Sequence, residues 1–210
     1  MTAAIVATVV GAVSVVVLVR SETNDTRVRF AAKPLASLCF LLTALTAGAF
    51  DSAYGTWVFV ALVLSAIGDV ALLGATRSTF LAGLVSFLLG HVGYAVAFGV
   101  RGLDATWTIV GVLAMVVPFA VVLRWLLPHA GDMRAPVILY ALVISTMAAL
   151  AVGTVAHGGD ARILVAAVGF WVSDIAVARN QFVAPGPTNR LWGLPLYYGA
   201  QFLFAWTVVV

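Results

Sequence analysis

Two aspartates, Asp69 and Asp174, interrupt the otherwise apolar runs SAIGDVALLG and GFWVSDIAVA, half of a 210-residue chain apart. A carboxylate inside a membrane span costs about 2.5–3.5 kcal/mol on insertion scales, so it faces a protein interior or a wet cavity and marks function. Two carboxyls in unlike surroundings can divide acid–base work. One holds a proton to give away, while the other stays charged to steady a cation or activate water.

Other chemistries find little support in the residues. The three histidines, His91, His129 and His157, are far apart and show no zinc-binding spacing, so no metal is expected. No GxSxG is present, and Ser173 beside Asp174 does not make a triad. No glycine-rich phosphate loop appears, and nothing calls for a cofactor. What remains is carboxylate chemistry with histidine and tyrosine support.

The elements that must position these groups are membrane helices. Apolar residues make up 63% of the chain and charged residues 9%, and the mean hydropathy is +1.13. The expected fold is an all-α polytopic bundle in a single domain, residues 1–210. Its spans lie near 3–19, 34–50, 57–74, 79–100, 105–127, 135–157, 161–178 and 193–210. Turn signals at Lys33-Pro34, Asp51, Gly55, Arg101-Gly102, Pro128, Gly131, Gly158-Gly159-Asp160 and Pro185-Gly186-Pro187 bound them. Pro118 predicts a kink inside the fifth span. The N-terminus lacks the charged region of a cleavable leader, so Thr2–Val19 is expected to be a retained span. Cys39, the single cysteine, excludes an internal disulfide and reads as a small buried residue. The net charge of +3 sits in loops and speaks of topology and anionic headgroups, not of nucleic acid.

Positive charge sets the orientation. The first, third, fifth and seventh connections carry Arg20, Arg27, Arg29, Lys33, Arg77, Arg124, Arg134, Arg179 and Arg190, against only Arg101 and Arg162 elsewhere. The odd connections are therefore expected in the cytoplasm and both termini outside. Asp69 and Asp174 then lie roughly five residues, or about 6–8 Å, below the cytoplasmic interface. Tyr197, Tyr198 and Gln201, on one face of the last span, fall at similar depth. His91 and Tyr94 lie nearer the midplane, and Tyr140 stands in the sixth span. Lys33, Arg77, Arg134, Arg179 and Arg190 are first of all orientation signals. Arg77, Arg134, Arg179 and Arg190 are also candidates to hold a lipid phosphate, which arginine grips in bidentate fashion.

The spacing of the aspartates suggests a duplication. Gly68-Asp69 and Ser173-Asp174 are each followed by four apolar residues, then by Arg77 and Phe80 or by Arg179 and Phe182. Lys33-Pro34 loosely parallels Arg134 and Pro136. Four plus four spans in the same orientation would form a parallel repeat about an axis along the membrane normal.

At these residues the chain resembles the YhhN family of lysoplasmalogenases. The likeness rests on GDVALLGATRSTFLAGLVSFLLGHVGYAVAF with Gly68-Asp69, Phe80, Gly83, His91 and Tyr94; on Lys33-Pro34, Tyr140 and Ser173-Asp174; and on the closing LPLYYGAQFLFAW. It covers the chain from about residue 30 onward. The resemblance implies an integral membrane hydrolase that cleaves the vinyl ether of lysoplasmalogens into a fatty aldehyde and a glycerophospho-alcohol. It maps the family's two intramembrane aspartates onto Asp69 and Asp174.

The chemistry fits the residues independently. A vinyl ether is hydrolysed by protonation at carbon, capture of the oxocarbenium ion by water, and collapse of the hemiacetal. The first step needs a protonated acid, and hydrocarbon surroundings disfavour a charged carboxyl. The second needs a negative group near the cation and a base for water. Asp69, read as the deeper residue, is expected to be the acid, with His91, Tyr197 or Gln201 orienting water. The lysophospholipid and the surrounding lipids are the expected partners. Two other readings use the same residues: a proton-coupled transporter or flippase, which predicts access from both faces, and a hydrolase of another ether or ester lipid.

Overall fold

The computed structural model describes residues 1–21 and 26–209. Val210, where the eighth expected span ends, lies outside them. The described residues form eight long helices: α1 (Thr2–Ser21), α2 (Thr26–Thr46), α3 (Ala53–Ala71), α4 (Arg77–Arg101), α5 (Ala105–Leu126), α6 (Arg134–Ala156), α7 (Ala161–Ala178) and α8 (Pro187–Trp206). No strand occurs among the described residues. Among the described residues, seven helices are long and apolar enough to cross a membrane. At 20 residues α8 also has crossing length, but Asn189, Arg190 and Gln201 make it more polar. The polytopic helical bundle expected from composition is what forms.

Local chemistry explains where helices begin. Ser52, Asp104 and Asp160 each accept a backbone N–H of the helix they precede, and Thr76 and Thr79 form a reciprocal capping box at α4. Before two of these caps the chain reverses through Gly102 (φ +113°) and Gly158 (φ +102°), a backbone region that side-chain-bearing residues avoid. The Asp160 cap is the most elaborate. One carboxylate oxygen accepts the Arg162 amide at 2.8 Å and the other takes the guanidinium, which holds the carboxyl below its ordinary range. Asp160→Ala should therefore cost about 1 kcal/mol, read as a lower melting temperature in detergent. Because the folded value is depressed, that contribution is present above the unfolded value near pH 4 and fades as pH falls through the folded one.

Two helices start well ahead of the expected positions. Helix α2 starts at Thr26, not at residue 34, and ends at Thr46, not at residue 50. Lys33-Pro34 is thus inside the helix. A proline there removes one backbone donor and crowds the preceding turn, but the polar turn carrying Arg27 and Arg29 still winds as helix ahead of it. Helix α8 likewise begins at Pro187, six residues before the expected 193, with proline in its first turn, where its missing N–H costs nothing.

Neighbours repeat between the halves. Helix α1 packs on α2 as α5 packs on α6, and α3 on α4 as α7 on α8. Helix α2 meets α3 as α6 meets α7, and α4 meets α6 as α8 meets α2. This is the pattern that a parallel four-plus-four duplication generates. The buried core runs along α2, α3, α4, α6, α7 and α8 and is rich in alanine, phenylalanine and tyrosine. Cys39 is buried and unpaired with sulfur. Helix α5 stays peripheral and shows Ile109, Leu113, Val117 and Val121 outward, as a lipid-facing helix does.

Candidate active site

A cavity of about 760 Å³ opens at the end of the bundle that carries the odd connections. Its mouth is formed by Leu73–Arg77, His129–Met133 and Asn180–Phe182, and its wall includes Phe87, Ile144, Trp171 and Tyr197. Both Asp69 and Asp174 line it. No residue of the α2–α3, α4–α5 or α6–α7 connections does. The pocket is thus one-sided, mostly apolar and within the roughly 300–1,000 Å³ range of small-molecule sites.

Asp69 is 2% exposed and surrounded by donors. Ser37 Oγ and Tyr197 OH each donate to Oδ2 at 2.7 Å, and Lys33 Nζ lies 3.3 Å from Oδ1. Lys33 and Ser37 are one turn apart on α2, so they face the carboxyl together. Gly68 makes room for this arrangement. A Cβ there would come within 2.7 Å of the Phe87 ring, which rests on α3 beside Asp69 and edge-on to Tyr197. Asp69 is also the more buried carboxyl, at 2% side-chain exposure against 15% for Asp174. It stands two residues before the end of α3, whereas Asp174 stands four before the end of α7.

Asp174 has different company. Tyr140 OH donates to Oδ2 at 2.6 Å, and His91 Nε2 is 3.7 Å from the same oxygen. His91 is fully buried, and neither ring nitrogen has a hydrogen-bond partner among the described residues. Phe170 at 4.4 Å and the Tyr140 ring at 5.3 Å clamp the imidazole so that it faces the carboxyl. No lysine or arginine pairs with Asp174 among the described residues. The helices bracing the two aspartates hold matching positions in their halves: α2 and α8 around Asp69, α6 and α4 around Asp174.

The remaining expected residues divide into two groups. Lys33, Tyr140, Tyr197, Arg77 and Arg190 line the cavity. Tyr94, Tyr198, Gln201 and His91 lie behind its wall: Tyr94 OH donates to Gln201 Oε1 at 2.5 Å, and Tyr198 OH donates to the Lys33 carbonyl at 3.2 Å. Arg77 at the rim pairs with Asp132, which lowers that carboxyl. Arg134 reaches the Leu127 carbonyl, and Arg179 donates to the side chain of Asn189, a residue of the wall; neither arginine itself lines the cavity. Ser37, Phe87, Phe170 and Asn189 belong to the site or its immediate support without having been expected. Ser37 could have been found from its one-turn spacing to Lys33, had α2 been read through Pro34.

Tyr140→Phe isolates one bond of this array. It should lower turnover roughly ten- to hundred-fold, the 1.5–3 kcal/mol of a hydrogen bond to a charged group, with an unchanged melting profile. An unaltered rate would separate Tyr140 from the chemistry.

The YhhN family profile matches residues 28–208. The chain is 34% identical over 161 residues to the lysoplasmalogenase TMEM86A of Bos taurus, covering 73% of this chain and 65% of that protein. It is 33% identical over 175 residues to the lysoplasmalogenase TMEM86B of Sus scrofa, covering 83% and 72%. It is 32% identical over 160 residues to the human TMEM86A lysoplasmalogenase, covering 73% and 65%. The chain thus spans just under two thirds of the length of the TMEM86A relatives and somewhat more of TMEM86B. No solved structure matches it significantly. With its helices, its cavity and this likeness over nearly the whole sequence, the chain is an integral membrane protein that belongs to the YhhN family.

Proposed function

We propose that the chain is a membrane hydrolase that cleaves the vinyl ether of lysoplasmalogens, releasing a fatty aldehyde and a glycerophospho-alcohol. The observation that carries this reading is one lipid-sized, one-sided cavity lined by two carboxyls with unlike partners. The naming of its relatives as lysoplasmalogenases supports it.

The partners favour a division of labour opposite to the one expected from depth. Asp69, held by an ammonium, a serine and a tyrosine, is set up as an acceptor. Asp174, with a tyrosine and an imidazole but no fixed cation, is the carboxyl that can carry a proton. In this scheme Asp174 protonates the outer carbon of the vinyl ether. The Asp69 carboxylate and the rings of Phe87 and Tyr197 steady the resulting oxocarbenium ion. Water then adds to the ether carbon and returns its proton to Asp174. The hemiacetal collapses with a proton shift from its hydroxyl to the departing oxygen, leaving aldehyde and alcohol. His91 fixes Asp174 in place, and Arg77 and Arg190 at the mouth take the phosphate.

In this reading the mouth faces the cytoplasmic leaflet of the cell membrane and both termini lie outside, an orientation supported by the excess of arginine and lysine in the odd connections. The deciding test is a panel of lysolipids given to the purified protein, with fatty aldehyde and fatty acid scored separately. Aldehyde from the vinyl ether lysolipid alone is expected. Fatty acid from ester lysolipids would replace this reading with an esterase.

A further inference from the structure

Of the eleven cationic side chains, ten are arginines: Arg20, Arg27, Arg29, Arg77, Arg101, Arg124, Arg134, Arg162, Arg179 and Arg190. The one lysine, Lys33, is the one that lines the cavity beside a catalytic carboxyl. A guanidinium would neutralise Asp69 as well, but only an amine can attack a carbonyl. Lys33 is 9% exposed, and its Nζ lies 3.3 Å from the Asp69 carboxylate, the nearest group that can exchange a proton with it. In the reading above, the carbon that becomes the aldehyde carbonyl is the one that the Asp69 carboxylate steadies as a cation. Amine and electrophile therefore share one carboxylate.

We infer that Lys33 is a reversible covalent capture site for long-chain aldehydes, the product class of this cavity; the inference rests on the proposed function. Lys33 hands a proton to Asp69, and the free amine adds to the aldehyde carbon, its own proton moving to the new hydroxyl. Asp69 then returns its proton to that hydroxyl, which leaves as water as the C=N bond forms. The product is a protonated imine still paired with the Asp69 carboxylate. Overall, one ammonium and one aldehyde give one iminium and one water, with no oxidant or reductant required. Water reverses every step, so the adduct delays release of a reactive product without consuming the enzyme.

Purified protein in detergent is incubated with hexadecanal and sodium cyanoborohydride, which fixes imines as stable amines, and then mapped by peptide mass spectrometry. One hexadecyl group on Lys33 is expected, competed by lysolipid and absent from the folded Lys33→Arg variant. In a parallel assay, hexadecanal should inhibit turnover with a slow onset that reverses on dilution, while hexadecanol inhibits at once. Alkylation confined to the Met1 amine, or alkylation of Lys33 that lysolipid fails to compete, overturns the inference. Because the aldehyde is supplied, the labelling does not depend on turnover. Absent labelling beside intact aldehyde release defeats only the capture site, whereas competed labelling without any release supports it and defeats the proposed hydrolysis.

Discussion

Asp174→Asn should melt like the wild type yet release aldehyde at least about 10²- to 10⁴-fold more slowly, the range expected when a positioned general acid is removed. The amide keeps the size of the carboxyl and can still accept the Tyr140 hydroxyl bond at the oxygen seen 2.6 Å away. What it lacks is a proton to donate to carbon. Asp69→Asn should lose a comparable amount for a different reason, because the cation forms without a counter-charge. Its melting temperature should also drop, since Lys33 is left without its partner. The check is single-turnover aldehyde release, normalised to folded protein. Wild-type rates in a folded Asp174→Asn variant would remove that residue from the mechanism.

The second large effect is on stability. Lys33→Met strips the only ion-pair partner that the described residues give Asp69, a carboxyl that is nearly inaccessible to water. Breaking a buried pair from one side typically costs about 3–5 kcal/mol, because it leaves a charge uncompensated in a weakly polarisable medium. Removing both charges at once avoids that penalty. Lys33→Met combined with Asp69→Asn should therefore be more stable than Lys33→Met alone, by most of that cost. Chemical denaturation of the four proteins in one detergent reads the coupling directly. Additive effects would mean that the two side chains do not sense each other.

Much of this site was legible from residue types, because an ionisable group in an apolar run is costly enough to need a reason. Asp69 and Asp174 stand out in the sequence on that ground, and both line the cavity, as do Lys33, Tyr140 and Tyr197, which were candidates on other grounds. Gln201 and Tyr94 stand out too, but Tyr94 OH pairs with Gln201 Oε1 behind the wall, a pairing that spacing within one helix cannot reveal. Ser37 was hidden because a hydroxyl is cheap to bury and because Pro34 suggested a helix start where α2 already runs. The surroundings of each carboxyl were hidden for a related reason. Hydropathy places a span only to within a turn, and the partners that set a carboxyl's role come from helices distant in sequence. Ser37 is 32 positions from Asp69 and Tyr197 is 128, while His91 approaches Asp174 from the other half of the chain.

The matching neighbours of the two halves bear on how such a catalyst could arise. In a paired assembly of identical half-length subunits, both acid groups would sit in the same environment, and neither would be singled out to give up its hydrogen. Fusing the copies frees each to drift on its own. A single amine on one side, with no counterpart where Arg134 turns toward the Leu127 carbonyl, already gives the two acid groups unlike surroundings.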